Sequence, residues 1–198
     1  MRNLILIIAG IIDLLANIPY IKDSLKGKTK PNTASWSTWT LINGITIAAA
    51  LNAGGAINTV ILGSTYFIAT FSILLIALFK GSSRYTLFDV ICQLIAIIGI
   101  ILWQASGNPN LALLLVIVSG EIAALPTLKH SYYYPNEETL SSFVVASIIA
   151  VIFVLLASSI SFASLAVPID LAIGNGLIAV IIFIRRKKLK LNVKLSSN

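Results

Sequence analysis

Residues 18–39 read IPYIKDSLKGKTKPNTASWSTW, and much of that plan returns at residues 125–143 as LPTLKHSYYYPNEETLSSF. With Pro19 set on Pro126, Ile21 falls on Leu128, Lys22 on Lys129 and Ser24 on Ser131. Past a three-residue difference in length, Pro31-Asn32 meets Pro135-Asn136, Ser35 meets Thr139, Ser37 meets Ser141, Thr38 meets Ser142 and Trp39 meets Phe143. Each copy reads as the end of a hydrophobic helix at X-Pro, a basic turn, Pro-Asn, and a Ser/Thr-aromatic helix start. The shared order of features marks an internal duplication.

Composition sets the class in which this duplication sits. Of 198 residues, 58% are hydrophobic and only 11% are charged. A soluble domain carries about 25% charged residues, so this chain cannot cover a water-facing surface. The consequence is several membrane spans instead of one buried core. The single cysteine, Cys92, lies in an apolar run and excludes an intrachain disulfide. The formal charge of +7 is confined to loops and a terminal tail, which is the orientation signal of membrane proteins and not a nucleic-acid surface.

Seven spans follow along the chain, each long enough for a hydrocarbon core of roughly 30 Å. The first runs from about Leu4 to Ile21. Arg2 and the run Leu4–Ile12 resemble a secretory signal, but Asp13 interrupts the run and no small-x-small cleavage site follows, so the helix is retained. A Lys-rich loop holding Pro31 leads to span two, Ser35 to Ala53. Asn52–Gly55 turns into span three, Ile57 to Phe79, which Lys80–Arg84 closes. Span four covers Thr86 to Trp103, and Ser106–Asn110 is a turn. Span five, Leu111 to Leu128, ends like span one, with Pro126 and then Lys129. Span six runs from Ser141 to Ala157, Ser158–Ser161 turns the chain, and span seven runs from Ala163 to Ile184.

The expected class is therefore all-α integral membrane, with 3+1+3 parallel triple-helix repeats. Residues 1–80 form the first repeat, 81–107 a linker helix, 108–184 the second repeat and 185–198 a basic tail. Because the repeats start four spans apart they are parallel, and span four is the inversion linker. Of the fourteen Lys and Arg residues only Arg2 lies on the far side from the others. The positive-inside tendency then predicts an outside N-terminus and a cytoplasmic C-terminus, in a prokaryotic inner or plasma membrane.

This architecture, with a proline near the end of the first helix of each repeat, resembles the SWEET and PQ-loop families. Pro126-Thr127 resembles the Pro-Thr of some SWEET proteins, while Pro19-Tyr20 shares only the proline and neither copy contains Pro-Gln. Pro31 and Pro135 precede the second helices, where SWEET proteins carry prolines within them. Trp36 and Trp39 resemble the tryptophan-rich stretch of PnuC-type vitamin transporters at a different spacing. The resemblance implies a small-solute transporter for a sugar, amino acid or vitamin; the KDEL receptor shares the fold.

Four of the seven acidic residues fall within spans: Asp13, Asp89, Glu121 and Asp170. An ionised carboxylate at mid-bilayer costs at least about 2.5–3.5 kcal/mol, so such groups face a cavity or a partner. Asp13 is six residues before Pro19 and Glu121 five before Pro126, which sets them at nearly equal depth in equivalent helices, suited to binding a proton or a polar group of a substrate. The alternative is a structural carboxyl bonded to nearby Ser, Thr or Asn. Asp89 lies where it can snorkel or pair with Arg84, and Asp170 follows Pro168, where it can line an external vestibule.

Asp13 with Asn17, and Asp89 with Gln93, share helix faces at four-residue spacing. Trp36, Trp39 and Asn43 form an aromatic-amide stripe able to stack on a solute and bond its edge, although tryptophans at a span start also serve as interfacial anchors, the expectation for Trp36. Asn43 and, in span seven, Asn175 are cavity candidates, with Trp39 between the two readings. Hydroxyls of span three (Ser64, Thr65, Tyr66, Thr70, Ser72) serve equally well as helix-helix glue. Pro19 and Pro126 are candidate hinges, or simple helix terminators.

No nucleophile-base arrangement appears, and the one histidine, His130, lies at the basic loop without metal-ligand spacing. The expectation is no enzyme, cofactor or metal. The partners expected are a small-molecule solute and the bilayer, with anionic lipid at the basic face, and a homo-oligomer is left open. The function expected is alternating access, with proton coupling through the intramembrane carboxyls left open. The rivals are a non-transporting receptor or partner subunit of the same fold and a proton or cation channel.

Overall fold

The structure, a computed structural model of the chain, describes residues 2–52, 57–81, 86–105, 109–157, 160 and 162–196. Its helices are α1 (Arg2–Ala16), α2 (Ile18–Leu25), α3 (Thr33–Asn52), α4 (Ile57–Lys80), α5 (Leu87–Ala105), α6 (Pro109–Tyr133), α7 (Leu140–Leu155) and α8 (Phe162–Ser196). A 3₁₀ turn at Pro135–Glu137 precedes α7. Among the described residues there is no strand, and α1 and α2 form one kinked rod, so seven rods are present.

The kink has a chemical cause. Pro19 lacks an N–H, and the backbone opens at Asn17, whose own N–H bonds Leu14 O at 3.2 Å. Two side chains repair the exposed carbonyls. The Asn17 amide donates to Asp13 O at 2.8 Å, and the Ser142 hydroxyl, from α7, donates to Ala16 O at 3.0 Å. Pro126 behaves differently: α6 runs through it without a break and continues to Tyr133.

Helix starts follow the capping rules. Asn32 Oδ1 accepts the Ser35 N–H at 3.1 Å and opens α3. Thr86 and Asp89 form a reciprocal box at the start of α5, where Asp89 Oδ2 accepts the Thr86 N–H at 2.6 Å and Thr86 Oγ1 accepts the Asp89 N–H at 3.4 Å. Asp89 is thus a capping residue; Arg84, its expected ion-pair partner, lies outside the described residues. So do the tips of the expected turns, at 53–55, 106–108, 158–159 and 161. The basic segment expected as a separate tail is instead the last part of α8. The run from Arg185 onward is rich in Arg, Lys and Leu, with no Gly or Pro to end the helix.

The rods pack in two groups with the same order of contacts. α4 lies between α1 and α3, and α8 lies between α6 and α7. Across the groups α3 meets α6 and α1 meets α7, while α5 packs on α6 and α3. The aromatic core sits where the groups join at one end: Tyr20, Trp36, Ile73, Phe143, Ile178 and Ile182 are buried together. Tyr20 lies 5.2 Å from Trp36 and 6.0 Å edge-on from Phe143, between ring centroids. Trp36 is therefore a core residue, 6% exposed, and not the interfacial anchor expected from its position at a helix start.

Burial is inverted relative to a water-soluble fold. On α1, Ala9 and Asp13 are buried, while Leu4, Ile8, Ile11, Ile12 and Leu15 are exposed. Hydroxyls inside the bundle bond carbonyls of their own helix: Thr38 to Ala34, Thr40 to Trp36 and Thr70 to Tyr66. Among the described residues three segments are long and apolar enough to cross a bilayer, Leu4–Leu25, Gly63–Lys80 and Leu165–Lys190. The sequence led to an expectation of seven. α7 has 16 residues, about 24 Å of helix, and α3 is diluted by hydroxyls and amides.

Gly81 closes α4 against the loop before α3. A Cβ there would stand 2.4 Å from Ala77 O and 2.6 Å from Pro31 O, both backbone atoms that no side-chain rotation can move. Gly81→Ala is expected to destabilise the fold by about 1–3 kcal/mol, measured as a lower midpoint of thermal unfolding in detergent. An unchanged midpoint would show that the α4 end and the Pro31 loop separate freely.

Candidate functional site

Each group of rods holds an acid on its first rod, directed at its third. In the first group Asp13 of α1 is 2% exposed, and its Oδ1 has no hydrogen-bond partner among the described residues. The Tyr66 hydroxyl of α4 is likewise buried and unpartnered, within electrostatic reach of Asp13. One turn away, Gly10 lets Thr65 approach to 3.3 Å of where a Cβ would stand. Asp13 and Tyr66 thus stand within electrostatic reach of each other across two helices with hydrogen-bonding capacity left over among the described residues.

In the second group Glu121 of α6 reaches α8. Its Oε1 lies 2.7 Å from the position a Cβ would take on Gly174, and its carboxyl is hydrogen-bonded to that of Asp170 one turn earlier. The two carboxyl groups thus stand together between α6 and α8. Beside them the Trp39 indole N–H donates to Gly120 O at 3.2 Å, tying α3 to α6 at the residue before Glu121.

The structure thus brings Trp39, Glu121 and Asp170 into one neighbourhood and sets Asp13 in the other group. Asn17 and Asn175 direct their amides to backbone, Asn17 to Asp13 O and Asn175 to Leu171 O at 2.8 Å. Asn43 is half-buried on α3. Of the two candidate hinge prolines, Pro19 lies at a helix break and Pro126 within a continuous helix. Gln93 leaves Asp89 to its cap and donates to Ser37 Oγ at 2.7 Å, joining α5 to α3.

A second polar centre was not anticipated from the sequence. The two related loops meet at the basic end. Lys30 N–H donates to Glu137 O at 2.8 Å, Lys30 Nζ pairs with Glu137 Oε1 at 2.5 Å, and Thr29 Oγ1 lies 2.6 Å from Thr139 Oγ1. Thr139 also donates to Asp23 Oδ2 at 3.3 Å. Beneath them Glu138 is 1% exposed and accepts the Tyr20 hydroxyl on Oε2 at 3.0 Å. His130 Nε2 lies 3.4 Å from Glu137 Oε2 and 4.0 Å from Glu138 Oε1. Arg186 of α8 clamps the turn from outside, donating from Nε to Pro135 O at 2.9 Å and from Nη2 to Glu138 O.

Burial pushes the Glu138 carboxyl up to about 8; the Tyr20 hydrogen bond and the Arg186 charge pull it down, and the charge of Glu137 pushes it up. A cavity of about 550 Å³ opens beside the junction, between Lys28, Thr29, Thr139, Ser141, Val144 and Arg186. The two loops are the stretches whose order of features matches in the sequence, and Lys30 in one faces Glu137 in the other.

Gly174→Ala is expected to push the Glu121 carboxyl off α8 and break its contact with Asp170. Because the displaced atom ends a flexible side chain, the fold should lose less than about 1 kcal/mol, while any function resting on the acid pair should fall. Thermal unfolding and uptake measured together check this; a large stability loss would instead make the Gly174 contact a packing requirement.

Comparison of the chain with models of protein families, with characterised proteins and with solved structures finds no match.

Proposed function

We propose that the chain is an integral membrane transporter of a small polar solute, built from two parallel three-helix repeats joined by α5 as an inversion linker. The observation that carries this reading is the matched packing of α1/α3/α4 and α6/α7/α8, each with an acid on its first rod facing its third, Asp13 buried and Glu121 half-buried. Such internal repeats frame a central site in transporters that work by alternating access. The inverted burial supports a lipid-facing surface, since exposed apolar stripes of this extent belong in hydrocarbon. The architecture resembles the SWEET and PQ-loop families in this respect, and the basic end, holding Lys30, Lys80, Lys129 and Arg186, is assigned to the cytoplasm.

In this mechanism Asp13 with Tyr66, and Glu121 with Asp170, bind the solute or a proton between the repeats. Trp39 holds α3 against α6 beside the acid pair. The loop junction is the closed cytoplasmic side, and its separation is the inward-opening step.

One observation favours a second reading, a receptor or partner subunit of the same fold. α8 has 35 residues, about 52 Å of helix, and so extends roughly 20 Å beyond a hydrocarbon core as a basic arm. Such an arm suits anionic headgroups or an acidic partner.

Purified protein in vesicles, offered sugars, amino acids and vitamins, is expected to take up one class saturably. Asp13→Asn and Glu121→Gln should each reduce that uptake by about ten- to a hundredfold, the loss of one charged hydrogen bond in a buried site. Uptake and its pH dependence intact in both variants would refute the assignment of these acids. No uptake, with partner binding lost on deleting 190–198, would favour the receptor reading.

A further inference from the structure

The acids that transport would use lie along the rods, but the most completely buried carboxylate system is at the basic-end junction. Its central residue, Glu138, is reached by groups from every element packed there. Tyr20 and Asp23 come from α2, Lys30 from the loop before α3, His130 from α6, Glu137 from the adjoining turn and Arg186 from α8. Of these, the Tyr20 hydroxyl donates a hydrogen bond to the Glu138 carboxyl itself. Arg186 binds the Glu138 backbone carbonyl, Lys30 pairs with Glu137, and Glu138 Oε1 is buried without a hydrogen-bond partner. An ionised carboxylate with one neutral donor and one bare oxygen is poorly compensated at such a site, whereas a neutral carboxyl is not.

The same contact joins the two halves of the chain, because Tyr20 and Glu138 are 118 residues apart. Around it stand the other inter-loop bonds, Thr29 with Thr139 and Lys30 with Glu137. Separating the loops would bring Glu138 into water, and closing them buries it again.

We propose that the Tyr20–Glu138 contact is a proton-binding site whose occupancy holds the two halves of the bundle closed at their basic end. It deepens the transport reading, resting on the separation of the two halves as the gating motion, and it places a coupled proton at the junction and not only among the intramembrane acids.

The sign follows from linkage. In the closed form Glu138 is raised from 4.5 to about 8. The closed form therefore binds a proton more tightly than an open form in which the carboxyl is hydrated. Closure is favoured at low pH, and the closed-to-open ratio falls by up to about tenfold per pH unit between those two values. Opening near neutral pH releases a proton on the basic side.

The test reads the gap directly and needs no substrate. Lys28 and Asn136 are exposed, on opposite loops, and line the same cavity. In a Cys92→Ala background, a bimane attached to Lys28→Cys is quenched by contact with Asn136→Trp when the loops are together. In vesicles, quenching is expected to be greatest at low pH and to fall progressively from about pH 5 towards about pH 9. Glu138→Gln, neutral at all pH, should keep quenching high across the range. Tyr20→Phe removes a bond that lowers the Glu138 value, so it should move the end of the titration to higher pH; this variant keeps the test decisive if Glu138→Gln does not fold. His130→Gln should leave a pH-dependent loss of quenching.

Quenching that is flat with pH in the otherwise wild-type protein, or an unchanged profile in Glu138→Gln, would overturn the proposal, as would an unchanged or lowered Tyr20→Phe transition. A pH-dependent gap without solute uptake would leave the proton site standing and the transport reading fallen; uptake with a pH-independent gap would do the reverse.

Discussion

A phenol from the first half of the chain bonds a buried carboxyl from the second, Tyr20 to Glu138, and the basic end of the bundle is arranged around that contact. The ring of Tyr20 packs on Trp36 and Phe143, so the hydrogen bond and the aromatic core share one residue. Arg186 ties the Glu138 backbone to α8, and Thr139, next in sequence, reaches Thr29 and Asp23. A bundle of apolar rods gains little from hydrophobic association in lipid, where tails are as apolar as leucine. Polar and aromatic contacts at the rod ends therefore carry the specificity that fixes which rods meet.

The same constraint explains the rods themselves. In a bundle with apolar residues outward, every interior polar group needs a partner. Several find one on their own helix, as Thr38 and Thr40 of α3 and Thr70 of α4 do. Where the backbone opens at Asn17, two side chains fill the gap. Among the described residues the exceptions include Asp13, Ser35, Tyr66, Ser119, Thr127 and Glu138, each with a buried polar atom that has no hydrogen-bond partner. Unmatched polar groups are costly in an apolar interior, which is why Asp13 and Tyr66, within electrostatic reach of each other between α1 and α4, stand out as a candidate site.

The two prolines show how like sequence gives unlike structure. Both follow an acid by five or six residues and both precede a lysine. Pro19 follows Asn17, whose amide can take over a carbonyl, and Ser142 stands ready for a second, so the helix breaks. Pro126 follows alanines and leucine, α6 stays whole, and the buried Thr127 and Ser131 lie within its last turns.

The all-helical class and the limits of α3, α4, α5 and α7 to within about two residues were legible from the sequence, because periodic apolar runs and prolines act locally. That α8 continues to Ser196, that Trp36 is core, that Asp89 caps its own helix and that Glu121 faces Asp170 were decided only by the tertiary structure. So was the junction at Glu138. A loop Glu reads as solvated when only its neighbours in sequence are known; its burial depends on Tyr20, His130 and Arg186, brought from three other helices, and burial by distant partners leaves no trace in local pattern.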